Sequence, residues 1–151
     1  MTELEKLLAS YRSTAVSERE KGNYFERLVK SYLLTEPFYA DLYGSRVWLW
    51  EEWRAEAAKR GFGNVGADAG IDLIAETATG ELHAVQAKFY DEDAALKLGD
   101  FATFFTASSK KQFTHRLIFL TATKSSTHLR NAVQDQQPPV SLVTLHDLEN
   151  S

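Results

Sequence analysis

Asp72, Gln86 and Lys88 are the residues of this chain whose types and spacing most suggest chemistry. The run Gly66-Ala67-Asp68-Ala69-Gly70-Ile71-Asp72-Leu73-Ile74 sets an acid among apolar residues, and Val85-Gln86-Ala87-Lys88-Phe89 carries an amide and an ammonium two positions apart. Between them, Thr77-Ala78-Thr79-Gly80-Glu81 is polar, contains glycine and is short enough to turn a hairpin. Side chains two apart on a strand share a face, so Gln86 and Lys88 point the same way. A hairpin centred near Thr79 brings Asp72 almost opposite Gln86. A carboxylate, an amide oxygen and an ammonium then gather at one end of two paired strands. A hard divalent cation takes such oxygens, and a lysine beside it can orient or activate a water.

Each of these residues also has a plainer reading. An acid between Ile71 and Leu73, both expected to face the core, costs free energy unless a metal, a hydrogen bond or a lysine compensates it. Lys88, on a strand that otherwise reads Val85, Ala87, Phe89, is either a charge protecting a sheet edge or a group held near phosphate. Asp68 sits in a glycine-rich loop where turn formation is the simpler role, though it lies four residues from Asp72 and could reach a metal through water. Trp48, Trp50 and Trp53 could stack on bases or fill the core. Other chemistries lack their residues. The four histidines form no H-E-x-x-H pattern and no cysteine is available for zinc. Neither a G-x-S-x-G elbow nor a P-loop is present. Gly61-x-Gly63-x-x-Gly66 has no strand before it and no helix after it, and reads as a loop.

The elements that must position these groups follow from periodicity. Leu4, Leu7, Leu8 and Tyr11 predict a short amphipathic helix over residues 3–12. Ser17 and Glu20 form a possible capping box for a second helix reaching about Leu34, with Tyr24, Phe25, Leu28, Val29 and Tyr32 as its apolar stripe and Pro37 as its end. Tyr39 to Tyr43 reads as a short extended or irregular link, and Trp48 to Arg60 as a helix stopped by Gly61 and Gly63. The hairpin strands occupy 71–76 and 82–90. Asp91-Glu92-Asp93 suit the first turn of a helix that continues from Leu98 to Phe105 with a break near Gly99. The continuous apolar run Leu117-Ile118-Phe119-Leu120-Thr121 marks a strand buried on both faces. A helix capped by Ser125 or Ser126 runs to about Gln134, and Val140 to Leu145 is the last strand. Hairpin followed by strand–helix–strand makes an α/β protein, a mixed central sheet flanked by helices on both sides.

With 151 residues, 44% hydrophobic and 25% charged, one globular domain is expected. The lack of cysteine excludes disulfides, no apolar run could span a bilayer, and the acidic start Met1-Thr2-Glu3-Leu4-Glu5 lacks the layout of a signal peptide. A cytoplasmic setting fits these features. A net charge of −4 argues against a free-standing, tight DNA binder. Six basic residues (Lys97, Lys110, Lys111, Arg116, Lys124, Arg130) nevertheless cluster over 97–130 against one acid, Asp100. They form either a local basic face or a chance grouping on a solvated surface.

The pattern GxDxGID followed by QAK resembles the Mrr-like branch of the PD-(D/E)xK nucleases, in which glutamine replaces the second acid to give D…QxK. From about Lys21 to the C-terminus the chain is also similar to the nuclease domain that opens large type ISP restriction proteins and related nuclease–helicase fusions. Gly22-Asn23-Tyr24-Phe25-Glu26, Trp48 to Trp53, Gln86-Ala87-Lys88-Phe89-Tyr90 and Val143-Thr144-Leu145-His146-Asp147-Leu148-Glu149 carry that similarity. The resemblance implies a restriction-endonuclease-like fold and a Mg²⁺-dependent DNA endonuclease, with Mn²⁺ as a possible substitute. Asp72, Gln86, the Ala87 carbonyl and Glu26 would hold metal, and Lys88 would act at the water or phosphate. Glu26 enters because the family's first helix often carries a glutamate facing the site; otherwise it is a surface residue paired with Lys30. The resemblance further implies helicase, methyltransferase and target-recognition domains as partners. Residues 1–151 would be one nuclease domain with 1–16 as a helical extension, cut from a larger protein. A catalytically inert module that binds DNA or docks a protein is the rival reading, and an RNA-directed or junction-specific nuclease is a third.

Overall fold

The computed structural model describes residues 3–14, 17–62, 70–90, 98–121, 127–144 and 147–148. Two helices open the chain, α1 (Glu3–Thr14) and α2 (Glu18–Thr35), followed by α3 (Pro37–Tyr43), β1 (Val47–Leu49) and α4 (Trp50–Lys59). The hairpin β2 (Leu73–Glu76) and β3 (Leu82–Lys88) comes next, then a 3-10 turn (Leu98–Phe101) leading into α5 (Ala102–Ser108), β4 (Phe113–Leu120), α6 (Thr127–Val133) and β5 (Val140–Val143). The five strands form one sheet in the order β1-β2-β3-β4-β5. The first three are antiparallel, while β3, β4 and β5 run parallel. No helix among the described residues is long and apolar enough to cross a membrane.

The period-two alternation of the strands sends apolar side chains to both faces. Leu73, Ala75, Val85, Ala87, Leu117, Phe119 and Val143 pack with Leu8 of α1, Phe25, Val29 and Leu33 of α2 and Tyr43 of α3. Ile74, Leu82, Ala84, Ile118 and Leu120 face Trp53 and Ala57 of α4, Phe104 of α5 and Leu129 of α6. Helices therefore cover both faces of the mixed sheet, as the order of elements predicts.

Several local expectations change. Ser17 does cap α2, accepting the Glu20 N–H at 3.1 Å. Pro37, read as a terminator, starts a helix: Pro suits the first helical turn as well as it blocks an interior one. The segment Tyr39–Tyr43, expected to be extended, is thus the body of α3. The helix predicted from Trp48 begins at Trp50, because Val47, Trp48 and Leu49 pair with Ala75, Ile74 and Leu73 as an edge strand. Three residues are too few for periodicity to reveal, and the pairing supplies what sequence spacing lacks. The Glu52 carboxylate then accepts the Leu49 N–H at 2.8 Å and fixes the entry to α4. The strand expected over 82–90 ends at Lys88. Asp68, Asp91-Glu92-Asp93, Ser125 and Ser126 lie outside the described residues.

Candidate active site

The turn that sets the site is centred where the sequence places it. Thr77 donates its N–H to the Glu81 carbonyl at 2.9 Å, Gly80 donates to Thr77 at 3.0 Å, and Gly80 takes the positive φ of 88° that glycine accommodates. The resulting register pairs Leu73 with Val85 and Ala75 with His83. Asp72, one residue before β2, is therefore opposite Gln86. Its own backbone is tied on both sides: the N–H donates to the Val85 carbonyl at 2.9 Å, and the carbonyl accepts the Trp50 N–H at 3.0 Å. The flanking Ile71 and Leu73 are buried, as expected.

The Asp72 carboxylate faces β3. Its Oδ2 accepts the Gln86 side-chain Nε2–H at 2.7 Å and the Ala87 backbone N–H at 2.8 Å. With its nitrogen committed to Asp72, the Gln86 amide keeps its oxygen as the end that can accept or ligate. A residue's N–H and C=O leave a strand on the same side, so the Ala87 carbonyl also points toward the β2 flank where Asp72 lies. Lys88 is half-buried at the end of β3, on the face of Gln86, and its ammonium has no hydrogen-bond or ion-pair partner among the described residues.

Glu26 comes to this site from α2. Phe25, Val29 and Leu33 bury one stripe of the helix, and the next residue along, Glu26, is carried toward the end of the hairpin. Its carboxyl is pushed up to about 7 by burial first and the Asp72 carboxylate second, with Arg27 opposing. The alternative pairing with Lys30 does not form, since Lys30 reaches Glu52 at 2.7 Å instead. The structure thus joins Asp72, Gln86 and Ala87 directly, with Lys88 at the end of the same strand, and Glu26 is near enough for its carboxyl to feel the Asp72 charge. Among the described residues, no three His, Asp or Glu side chains gather in a group that could hold a metal. Two carboxylates, a neutral amide and a carbonyl form a weaker donor set, yet one of hard oxygens that fits a divalent cation such as Mg²⁺. A cation held by these groups would offset the like charge that, after burial, raises the Glu26 carboxyl.

Other sequence candidates fall elsewhere. Trp53 is buried, and the Arg60 guanidinium lies 5.3 Å from the Trp48 ring and 5.5 Å from that of Trp53. Arg60 is in turn bound to Glu76 at 2.6 and 3.0 Å, so Trp48 and Trp53 belong to a packed corner. Arg116, counted with the basic residues, is fully buried and hydrogen-bonded to Gln136 at 2.6 Å and the Pro138 carbonyl at 2.8 Å. Lys110 and Lys111 precede Phe113, which pairs with Leu82 at the end of the sheet away from Lys88. Lys97 and Lys124 lie outside the described residues. Two of the histidines that look scattered in sequence become neighbours: His83 and His115 sit 5.4 Å apart on β3 and β4. The Tyr43 hydroxyl lies 2.7 Å from His83 Nδ1, and Ser141 Oγ 2.9 Å from His115 Nε2.

Residues 34–151 match the family model Mrr_cat_2, described as a restriction endonuclease. No curated protein sequence matches the chain. Among solved structures, an ATP-dependent type ISP restriction-modification enzyme, LlaBIII bound to DNA, is similar with a TM-score of 0.69 and 28% identity. That likeness covers 89% of this chain and 8% of the enzyme. The MspJI restriction endonuclease in complex with a 27-mer oligonucleotide gives a TM-score of 0.41 and 17% identity, over 88% of this chain and 31% of that one. The matched segment takes in Asp72, Gln86, Ala87 and Lys88, whereas Glu26 and all of α1 precede it. Folded as a mixed five-stranded sheet with an acid, a glutamine and a lysine at the end of its central hairpin, the chain belongs to this restriction endonuclease family.

Proposed function

We propose that the chain is a Mg²⁺-dependent endonuclease domain that hydrolyses DNA phosphodiester bonds, with Mn²⁺ able to substitute. The observation that carries this reading is the Asp72 carboxylate held by the Gln86 amide and the Ala87 N–H on the strand that ends in Lys88. Asp72 and Glu26 would supply the negative charge that holds the cation, with the Gln86 amide oxygen and Ala87 carbonyl completing the set. When bound, the cation lowers the pKa of a coordinated water and offsets charge on the phosphate. The Gln86 and Ala87 N–H groups keep the Asp72 carboxylate aimed through a shared oxygen. Lys88 would orient the attacking water or neutralise charge building on the phosphate oxygens. Target recognition, methylation and ATP-driven translocation would come from other domains, a division supported by the small fraction of the type ISP enzyme that this chain matches.

Asp72→Ala should abolish cleavage of supercoiled plasmid by the full-length protein in Mg²⁺ while leaving this domain folded. Lys88→Ala should impair cleavage with a smaller effect on metal affinity, because an ammonium does not coordinate a cation. Normal cleavage by purified, folded Asp72→Ala protein would refute the metal assignment. DNA binding without cleavage by the wild type would favour the inert module.

A further inference from the structure

We propose that Arg12 is a positioning residue for Lys88, acting through the Tyr90 carbonyl from a helix ahead of the family-matched segment, a role that presupposes the nuclease reading above. Lys88 is the last residue of β3, and a strand end that leaves its sheet normally loses definition. Here the departing chain is held at consecutive points. The Thr121 N–H donates to the Lys88 carbonyl at 3.3 Å. The buried Thr121 hydroxyl accepts the Tyr90 N–H at 2.6 Å and donates to the Tyr90 carbonyl at 2.7 Å. That carbonyl takes a second donor, Arg12 Nη2, at 3.0 Å.

Two donors on one carbonyl fix the orientation of the peptide that leads away from Lys88, and one of the two is charged. The same guanidinium lies 4.9 Å from the centre of the Phe89 ring. Phe89 meets Phe25 edge-on at 5.6 Å and Tyr11 at 6.5 Å. Phe25 immediately precedes Glu26, so this cluster joins the strand bearing Gln86 and Lys88 to the helix bearing Glu26. Helix α1 is seated firmly enough to serve as the anchor, with Leu8 in the core and Tyr11 against Tyr24 at 5.0 Å. Arg12 touches the backbone two residues beyond Lys88, on the Phe89 side, and its task is to keep the ammonium in register with the carboxylates.

The test compares Arg12→Met, which keeps the apolar stem over Phe89 but no donor, with Arg12→Lys, which keeps one. Plasmid nicking is measured for kcat and KM at saturating Mn²⁺, together with hydrogen exchange at the Tyr90 amide and thermal melting. Arg12→Met should lower kcat about tenfold, since small misplacements of a reacting group carry costs of that order. Its KM for DNA should stay within about twofold of wild type, as expected when only the activated state is affected. Exchange at Tyr90 should quicken, and Arg12→Lys should recover part of both losses. A raised KM with unchanged kcat would make Arg12 a phosphate contact and overturn the proposal. So would a lower melting temperature with normal kcat per folded molecule, or no change at all. A wild type that does not nick in any divalent metal overturns the nuclease reading and Arg12's role with it. A nicking wild type with an unaffected Arg12→Met overturns the positioning role alone.

Discussion

Glu26 is held where ionisation works against it, half-buried on α2 and within reach of the Asp72 charge. In the absence of a cation, near-neutral and higher pH forces either a proton onto Glu26 or two like charges into one partly dry space. Glu26→Gln removes that repulsion while keeping the shape of the side chain. It should therefore raise the thermal stability of the metal-free protein at pH 8. Allowing for solvent screening at a partly exposed group, the gain is on the order of 1 kcal/mol. The same variant should lose the stabilisation that Mg²⁺ confers on the wild type. Melting curves in EDTA and in Mg²⁺ measure both effects. A Glu26→Gln protein that melts like wild type in both buffers would remove Glu26 from the site.

At the scale of elements, two close approaches control how the site is held. Helix α5 passes so near the chain entering β2 that a Cβ on Gly70 would lie 2.5 Å from Thr103 Cγ2 and 3.1 Å from its backbone. Gly70 also has a φ of +77°, two residues before Asp72. Gly70→Ala should destabilise the fold by roughly 1–3 kcal/mol and reduce cleavage by shifting Asp72. Adding Thr103→Gly should recover only part of the loss, because the backbone contact remains. Denaturant titration with a nicking assay tests this, and full activity in Gly70→Ala would show that the approach is not needed. The second approach joins β3 and β4, where burial, with a smaller contribution from His115, pushes His83 down to about 4. Its folded pKa lies below the unfolded value, so its contribution is complete above about 6.5 and is lost as pH falls toward 4. Glu26, with a raised pKa, acts in the opposite sense, gaining stability as pH falls through 7 toward its unfolded value. Glu26 offsets part of this in the wild type, so the acid loss should be fuller in a Glu26→Gln background, on the order of 3 kcal/mol between pH 6.5 and 4. Denaturation midpoints across that range measure it. If adding His83→Phe does not flatten the profile, His83 is not its source.

For the molecule as a whole, net charge and site composition point to restrained activity. A charge of −4 disfavours residence on phosphate. Among the described basic residues of 97–130, Arg116 is internal, and Lys110 and Lys111 belong to the far end of the sheet. Gln86 contributes no charge to metal capture, and a single site cuts a single strand. The 151-residue chain should therefore bind DNA weakly and in a strongly salt-sensitive way. It should nick supercoiled plasmid only at high concentration or with Mn²⁺, yielding open circles before linear product. Efficient linearisation at low concentration would show that the chain itself holds the means of binding and pairing that are here assigned to other domains.

The hairpin was legible in the sequence because everything that defines it is local. A polar Thr77–Glu81 turn with Gly80 fixes the centre, two-residue alternation fixes the faces, and together they set Asp72 against Gln86 before any packing is considered. The doubly buried β4 was legible for the same reason, as an unbroken apolar run. Glu26 could be nominated only by family resemblance; the turn and packing of α2 are what bring its charge to Asp72. Three-residue β1 has too little pattern to declare itself and exists because β2 offers an edge to pair with. The neighbouring His83 and His115 come from a parallel crossover, which joins residues that local spacing keeps apart. Arg116 looks like a surface cation in sequence and is internal because α5 and the segment after α6 turn hydroxyl, amide and carbonyl oxygens toward it. Side-chain alternation and turn chemistry act over a few residues and can be read along the chain. Contacts between distant segments depend on how whole helices and strands pack, and only the tertiary structure decides them.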